Sequence, residues 1–224
     1  MAQLHSRYIN GSLAFWESHQ MRIVDAIGKD VVKYEMKTQD LNATTVDPSG
    51  FTATVVEAGS GTTEFDANNT AGRLGTITAA ANENDGGQYQ LLGEGIEFTS
   101  DQAVYFGCEF QIDDADQTDF LVGICITDTT LLGGMTDGVY FESLDGATGI
   151  STVTEKDSTE TQTDSVGTLA DATDVTLEFF FDGSSVYFFV DGSQTGTIHT
   201  TNIPDDENLT FSLAFLTGEA VANT

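Results

Sequence analysis

The chain has 224 residues and carries 36 Asp and Glu against 7 Lys and Arg, a formal net charge of -29. A field of that sign repels nucleic acid and anionic membrane surfaces, and no apolar run approaches the roughly 20 residues of a membrane span. The length allows roughly 70% of the unfolded chain's surface to be buried in one core, and 15 Phe and 6 Tyr beside short Val and Ile runs predict an all-β fold.

Residues 1–40 are expected to form a separate arm or hairpin, and residues 41–224 a β-sandwich. The division rests on charge. Residues 1–37 hold five cations against four carboxylates, whereas everything after them holds Arg73 and Lys156 against 32 acids. The stretch LAFWESHQMRIVDAI fits an amphipathic helix or two strands, LAFWE and MRIVDAI, and the strand reading is preferred. Cations steer encounters and aromatics anchor interfaces. Arg7, Tyr8, Phe15, Trp16, Arg22, Lys29, Lys33 and Lys37 are therefore the candidate partner-binding residues. An ordinary first hairpin packed on the sandwich's own acidic surface is the competing reading. The N-terminus shows no basic start followed by an apolar stretch, so synthesis in the cytoplasm without classical export is expected. The sequons at Asn10, Asn42, Asn68 and Asn208 read as accidents of a Thr-rich composition.

From residue 41 onward, short apolar runs alternate with turn residues at strand spacing. FTATVVEAG ends in GSGT, and RLGTITAAA ends in NENDGG. IEFTSDQAVYFGCEFQI then meets DDADQTD and FLVGICITD, which predicts a hairpin about an acidic turn. Val104, Phe106, Cys108, Phe110 and Ile112 share one face, and Phe120, Val122, Ile124 and Ile126 another. Cys108 and Cys125 read as small buried hydrophobes, with a cross-strand disulfide as the alternative. In the turn, Asp113, Asp114, Asp116 and Asp119 raise the question of Ca²⁺, but the run lacks the Gly and distal Glu of an EF-hand loop, and a solvated turn is the expectation. His5, His19 and His199 are scattered, so zinc and a catalytic triad are unsupported. No cofactor is expected. Further on, VTLEFFFDGSSVYFFVDGSQTGTI predicts a meander with Val175, Leu177, Phe179 and Phe181 inward. Phe180, Tyr187 and Phe189 then lie on the opposite face, implying that a segment, partner or ligand covers it. LTFSLAFLTG is the last strand.

VTLEFFFDGSSVYFFVDG resembles the strand-DG-strand-DG hairpin of concanavalin-A-like jelly rolls, among them laminin-G-type domains, lectins and glucanases. INGSLAFWESH, VDAIGKDVVKY, TAAANENDGGQYQ, DGVYFESLDG and LAFLTGEAVANT resemble segments of tailed-phage structural proteins. The resemblance implies a jelly-roll virion protein on the outer capsid surface. Its role would be that of a non-enzymatic decoration or cement protein binding the major capsid protein, expected as a homo-oligomer. Such families continue past LTGEA with one more strand; here the sequence ends at ANT, so that strand is either absent, which would leave a sheet edge for a neighbour, or trimmed away. The alternative is a carbohydrate-binding head or tail fibre module. The third reading is a jelly-roll glucanase, whose Glu-x-Asp-x-x-Glu spacing is matched by Glu155, Asp157 and Glu160 in EKDSTE. Strand parity sets Glu160 opposite to Glu155, and the flanks ISTVTEKDSTETQTDSV are polar at both parities. The expectation is an exposed hairpin tip turned by Lys156, Asp157 and Ser158, with none of the six residues buried.

Overall fold

The computed structural model describes residues 4–9, 12–17, 22–27, 50–57, 63–67, 75–144 and 146–219. The chain divides into two units, Met1–Lys37 and Thr38–Thr224. In the first, β1 (Leu4–Ile9), β2 (Ser12–Glu17) and β3 (Arg22–Ile27) pair antiparallel in the order β1-β2-β3. LAFWE and RIVDAI are thus strands.

The second unit is built on two antiparallel sheets. The larger contains β4 (Phe51–Val56), β7 (Gly86–Leu91), β9 (Thr118–Cys125), β10 (Gly138–Ser143), β11 (Gly149–Lys156), β12 (Thr159–Thr168) and β16 (Thr210–Thr217). Its order is β12-β11-β10-β9-β16-β7-β4. The smaller contains β8 (Val104–Phe110), β13 (Val175–Phe181), β14 (Val186–Val190) and β15 (Ser193–His199), ordered β15-β14-β13-β8. A separate two-stranded ribbon joins β5 (Glu64–Ala67) to β6 (Gly75–Thr78).

The alternation of the strands places one face of each sheet against the other. Val175, Leu177, Phe179 and Phe181 are all buried, as expected, and meet Val122, Ile124, Val139, Phe141 and Ile150 across the core. Phe179 sits at its centre. Its ring stacks on Phe106 at 5.0 Å and meets Phe188 edge-on at 5.9 Å, with Phe98 and Phe141 at 6.2 and 6.4 Å. Burying a Phe side chain of this kind is worth about 1.5–3 kcal/mol by area alone.

Three expectations need correction. First, β8 and β9 do not form a hairpin: β8 pairs with β13, while β9 pairs with β10 and β16. The segment between them crosses from one sheet to the other, held where the Ala115 amide donates to Asp171 Oδ1 at 3.0 Å. Two strands apolar on one side suit a hairpin or an arch equally, because alternation does not say which sheet receives the face. Second, Cys108 packs on the central core while Cys125 lies on the other side of the larger sheet, so both thiols are free and no disulfide forms. Burial pushes the Cys108 thiol up to about 12. Third, the polar run around EKDSTE is a genuine strand buried on both faces, Ile150 through Glu155 all being buried. Its threonines pack because their hydroxyls find partners. Thr152 and Thr163 place Oγ1 3.4 and 3.0 Å from His199 Nε2, and Thr154 lies 3.2 Å from Nδ1.

Candidate functional site

The outer face of the larger sheet is polar where a loop returns over it. On β7, Gln88 and Gln90 project outward and are almost fully buried. Each amide acts as a two-handed clamp on backbone. Gln88 Nε2 donates to the Thr129 carbonyl at 2.6 Å while its Oε1 accepts from the Leu131 amide. Gln90 Nε2 donates to the Ile126 carbonyl and to Ser212 Oγ, and its Oε1 accepts from the Asp128 amide at 2.9 Å. The clamped loop lowers Leu131 and Met135 onto Leu121, Cys125, Tyr140, Val153 and Ala214, a second small core. A primary amide suits this place, since it offers a donor and an acceptor side by side to a chain with no sheet partner.

The loop stops at Asp137, and beyond it the outer face carries the partly buried Glu142 of β10 and the exposed Gln162 and Asp164 of β12. Tyr140 donates its hydroxyl to Glu155 Oε2 at 3.0 Å. Glu155 is only 9% exposed. Its carboxyl is pushed up by burial, against the lowering effect of the Tyr140 bond. The half-buried Glu142 is pushed up to about 7, first by burial and then by the charge of Glu160. Gln162 Nε2 donates to Glu142 Oε1 at 3.3 Å, and Ser151 Oγ donates to Asp164 Oδ1 at 3.1 Å. Glu142, Ser151, Gln162 and Asp164, with Leu144 and Gly149, line a depression of about 280 Å³. It offers acceptors, an amide and hydroxyls, with Ser151 buried, Glu142 partly buried and Gln162 and Asp164 exposed.

The EKDSTE segment ends as a hairpin tip, with the whole two-residue turn, Asp157 and Ser158, at φ of 51° and 59°. Such a turn makes residues five apart cross-strand partners. Glu155 therefore faces Glu160, on the same side of the sheet. Parity along a single strand gave the opposite answer because the chain reverses between them. The expectation that nothing here is buried fails at Glu155, which lies beneath the tip. The tip is also strapped to the loop: the Asp157 amide donates to Asp137 Oδ1 and the Ser158 amide to the Thr136 carbonyl. Lys156 reaches away and bonds Asp205, with Asp206 at 3.1 Å. Asp157 occupies the turn itself, so the motif has its spacing without the three acids standing along one strand.

The candidate partner-binding residues fall partly on the three-stranded sheet, with Arg7 and Tyr8 on β1, Phe15 and Trp16 on β2 and Arg22 on β3. Trp16 is registered between His5 and Ile23, and Arg22 against Glu17. Lys29, Lys33 and Lys37 lie outside the described residues. Among the described residues no group of three His, Cys, Asp or Glu is placed to hold a metal. His199 is a core residue, 1% exposed. Gln88, Gln90, Tyr140 and Glu142 were missed by sequence reasoning; the signal for the last two was DGVYFES, where Tyr140 and Glu142 alternate with Val139 and Phe141.

No family model and no curated protein matches this chain. Solved structures do. The carbohydrate recognition domain of Emp47p is 11% identical, with a TM-score of 0.55 over 82% of this chain and 88% of that one. A point-mutant form of the Emp46p carbohydrate recognition domain gives 0.54 at 10% identity, over 86% and 94%. The Bacteroides ovatus mixed linkage glucan PUL GH16, in complex with a G4G4G3G product, gives 0.53 at 8% identity, over 80% and 86%. The fold is a concanavalin-A-like jelly-roll sandwich.

Proposed function

We propose that the protein is a glycan-binding module whose ligand lies in the depression on the outer face of β10, β11 and β12. The observation that carries this reading is the depression where Glu142, Gln162, Ser151 and Asp164 present hydrogen-bonding groups beside a loop clamped over the rest of the face. Sugar hydroxyls need such mixed donors and acceptors, and a half-desolvated site strengthens each bond. The likeness in fold to carbohydrate recognition domains supports the class of ligand. A body with two cations and 32 acids after residue 37 disfavours uronate-rich or sulfated chains, leaving neutral glycans for this site. Titration against a panel of neutral oligosaccharides tests this. Saturable binding that weakens about tenfold or more in Glu142→Gln and Gln162→Ala is expected; binding indifferent to both would overturn it.

Hydrolysis is a second reading, favoured by one observation: Glu142 at about 7 has the pKa of a general acid near neutral pH. Register weighs against it. Glu142 stands opposite Ser151 and Glu155 opposite Gly138, four residues further along. At about 3.3 Å per residue that is roughly 13 Å between backbone positions, where glycosidase carboxyl pairs stand about 5 to 9.5 Å apart. Release of reducing ends from laminarin or lichenan, abolished in Glu142→Gln, would favour hydrolysis over binding alone.

The capsid-decoration role rests on the resemblance of sequence segments and gains nothing from the similar structures. The arm remains a candidate anchor through Arg7, Tyr8, Phe15, Trp16 and Arg22, with the charge asymmetry as its support. A capsid-binding assay on the full chain and on a form lacking residues 2–37 tests it; equal binding by both removes the anchor.

A further inference from the structure

The outer face of the smaller sheet bears one straight row of large side chains, one from each strand. Phe180 on β13 is registered with Tyr105 on β8 and with Tyr187 on β14, and Tyr187 with Ile198 on β15. Tyr105, Phe180 and Ile198 are 63%, 39% and 42% exposed. The two tyrosines are fixed in place. Tyr105 donates its hydroxyl to Glu178 and lies over Gly107, where a Cβ would meet that hydroxyl at 2.8 Å. Tyr187 donates to Asp182 Oδ2 at 3.0 Å, and Asp182 is itself held by the Ser184 and Ser185 amides. The Phe180 and Tyr187 rings stand 6.5 Å apart with a tilt of only 32°.

Charge accompanies the rings. Glu178 flanks Phe180 on one side and Asp182 on the other, and β8, β13, β14 and β15 contain no Lys or Arg. The π faces and the carboxylates both attract cations. A second copy is a poor occupant, since a self-complementary contact would set these carboxylates against their equivalents. The strands beneath the row are spaced about 4.8 Å apart, close to the length of one pyranose unit in a linear polysaccharide, whose flat C–H faces stack on aromatic rings.

We propose that Tyr105, Phe180, Tyr187 and Ile198 form a binding strip for a linear polysaccharide bearing free amines, with about one sugar unit per strand. The strip lies on a different sheet from the depression at Glu142 and does not depend on that site. The probe is a fully deacetylated glucosamine hexamer, titrated calorimetrically into the full chain at physiological salt. Saturable binding is expected, weakened about tenfold or more in the Phe180→Ser/Tyr187→Ser double variant. Binding should be unmoved by Glu142→Gln and weaker for the N-acetylated hexamer. The double variant keeps every carboxylate, so affinity unchanged by it would mean attraction by net charge alone and would overturn the strip. Loss of binding in Glu142→Gln instead, or no saturable binding, would overturn it equally. Should the double variant fail to fold, Gly107→Ala, which must displace the Tyr105 ring, is expected to weaken the hexamer at least threefold; unchanged affinity there overturns the proposal as well.

Discussion

The two outer faces of the sandwich share one core and differ in what the chain does next. Over the larger sheet the segment after β9 returns, clamped by Gln88 and Gln90, and what it shelters becomes a small core edged by half-buried carboxylates. Over the smaller sheet the connections are tight, such as the two-residue turn at Asp191 and Gly192, with φ of 50° and 72°, and the aromatic row stays open. Polar groups are thus sheltered on one side while apolar groups stay exposed on the other. The difference follows from loop length, since a strand pair joined by two residues has no chain to spare for its own outer face.

The most damaging change should be one that removes the shared core. Phe179→Ala leaves Phe98, Phe106, Phe141 and Phe188 facing a cavity and should cost about 3–5 kcal/mol, read as a shifted urea midpoint. Both faces should lose ligand together. Gln90→Leu should act on one face only. It leaves the Asp128 amide and the Ile126 carbonyl without their partner, at about 1–3 kcal/mol. Hydrogen exchange should then rise in residues 126–137 while β8, β13 and β14 keep their protection.

Acidity separates a sheltered carboxyl from a buried imidazole by the sign of its effect. Glu142 is raised from 4.5 to about 7, so the folded state takes up its proton first. Its contribution therefore rises as pH falls through about 7 and levels off below about 4.5. His199, among threonine hydroxyls with no carboxylate bonded to it, is lowered from 6.5 by burial. Its unfolded form takes the proton first, so stability is full above 6.5 and is lost as pH falls from there through the folded value. Denaturant titrations at pH 8, 6.5 and 5 on the wild type and Glu142→Gln check this. The variant should lose the rise and show a steeper acid decline, by a margin that solvent screening at half-exposed Glu142 keeps modest.

How much of this was legible in the sequence depended on whether a residue's environment was set locally. The meander of β13, β14 and β15 was read with its inward and outward residues, because strict alternation and two DG turns fix the faces within one stretch of chain. The partnership of β8 and β9 was misread because choosing between two sheets is a long-range decision. Thr152 and Thr154 seemed too polar to bury, and nothing near them announced that His199, some 45 residues on, would supply nitrogen partners. Glu155 was placed in solvent for the same reason. Its burial comes from Tyr140 on the neighbouring strand and a loop whose position is set by two glutamines on β7.

The smallest effect on stability should come from the aromatic row, and its smallness is informative. Phe180 and Tyr187 project from strands whose opposite faces carry Phe179, Phe181 and Phe188, so truncating the outer pair leaves the core contacts intact. Surface substitutions of this kind usually stay within about 0.5 kcal/mol, apart from the modest loss of the Tyr187–Asp182 bond and one cross-strand aromatic pair. The thermal midpoint of the Phe180→Ser/Tyr187→Ser variant should therefore move by a few degrees at most, while Gln90→Leu moves it further. A large shift would mean that the row is structural, covering the smaller sheet as the clamped loop covers the larger. A negligible one would leave four outward side chains in register that the fold does not need for its own stability, which is the condition under which an apolar row is best explained by what it meets.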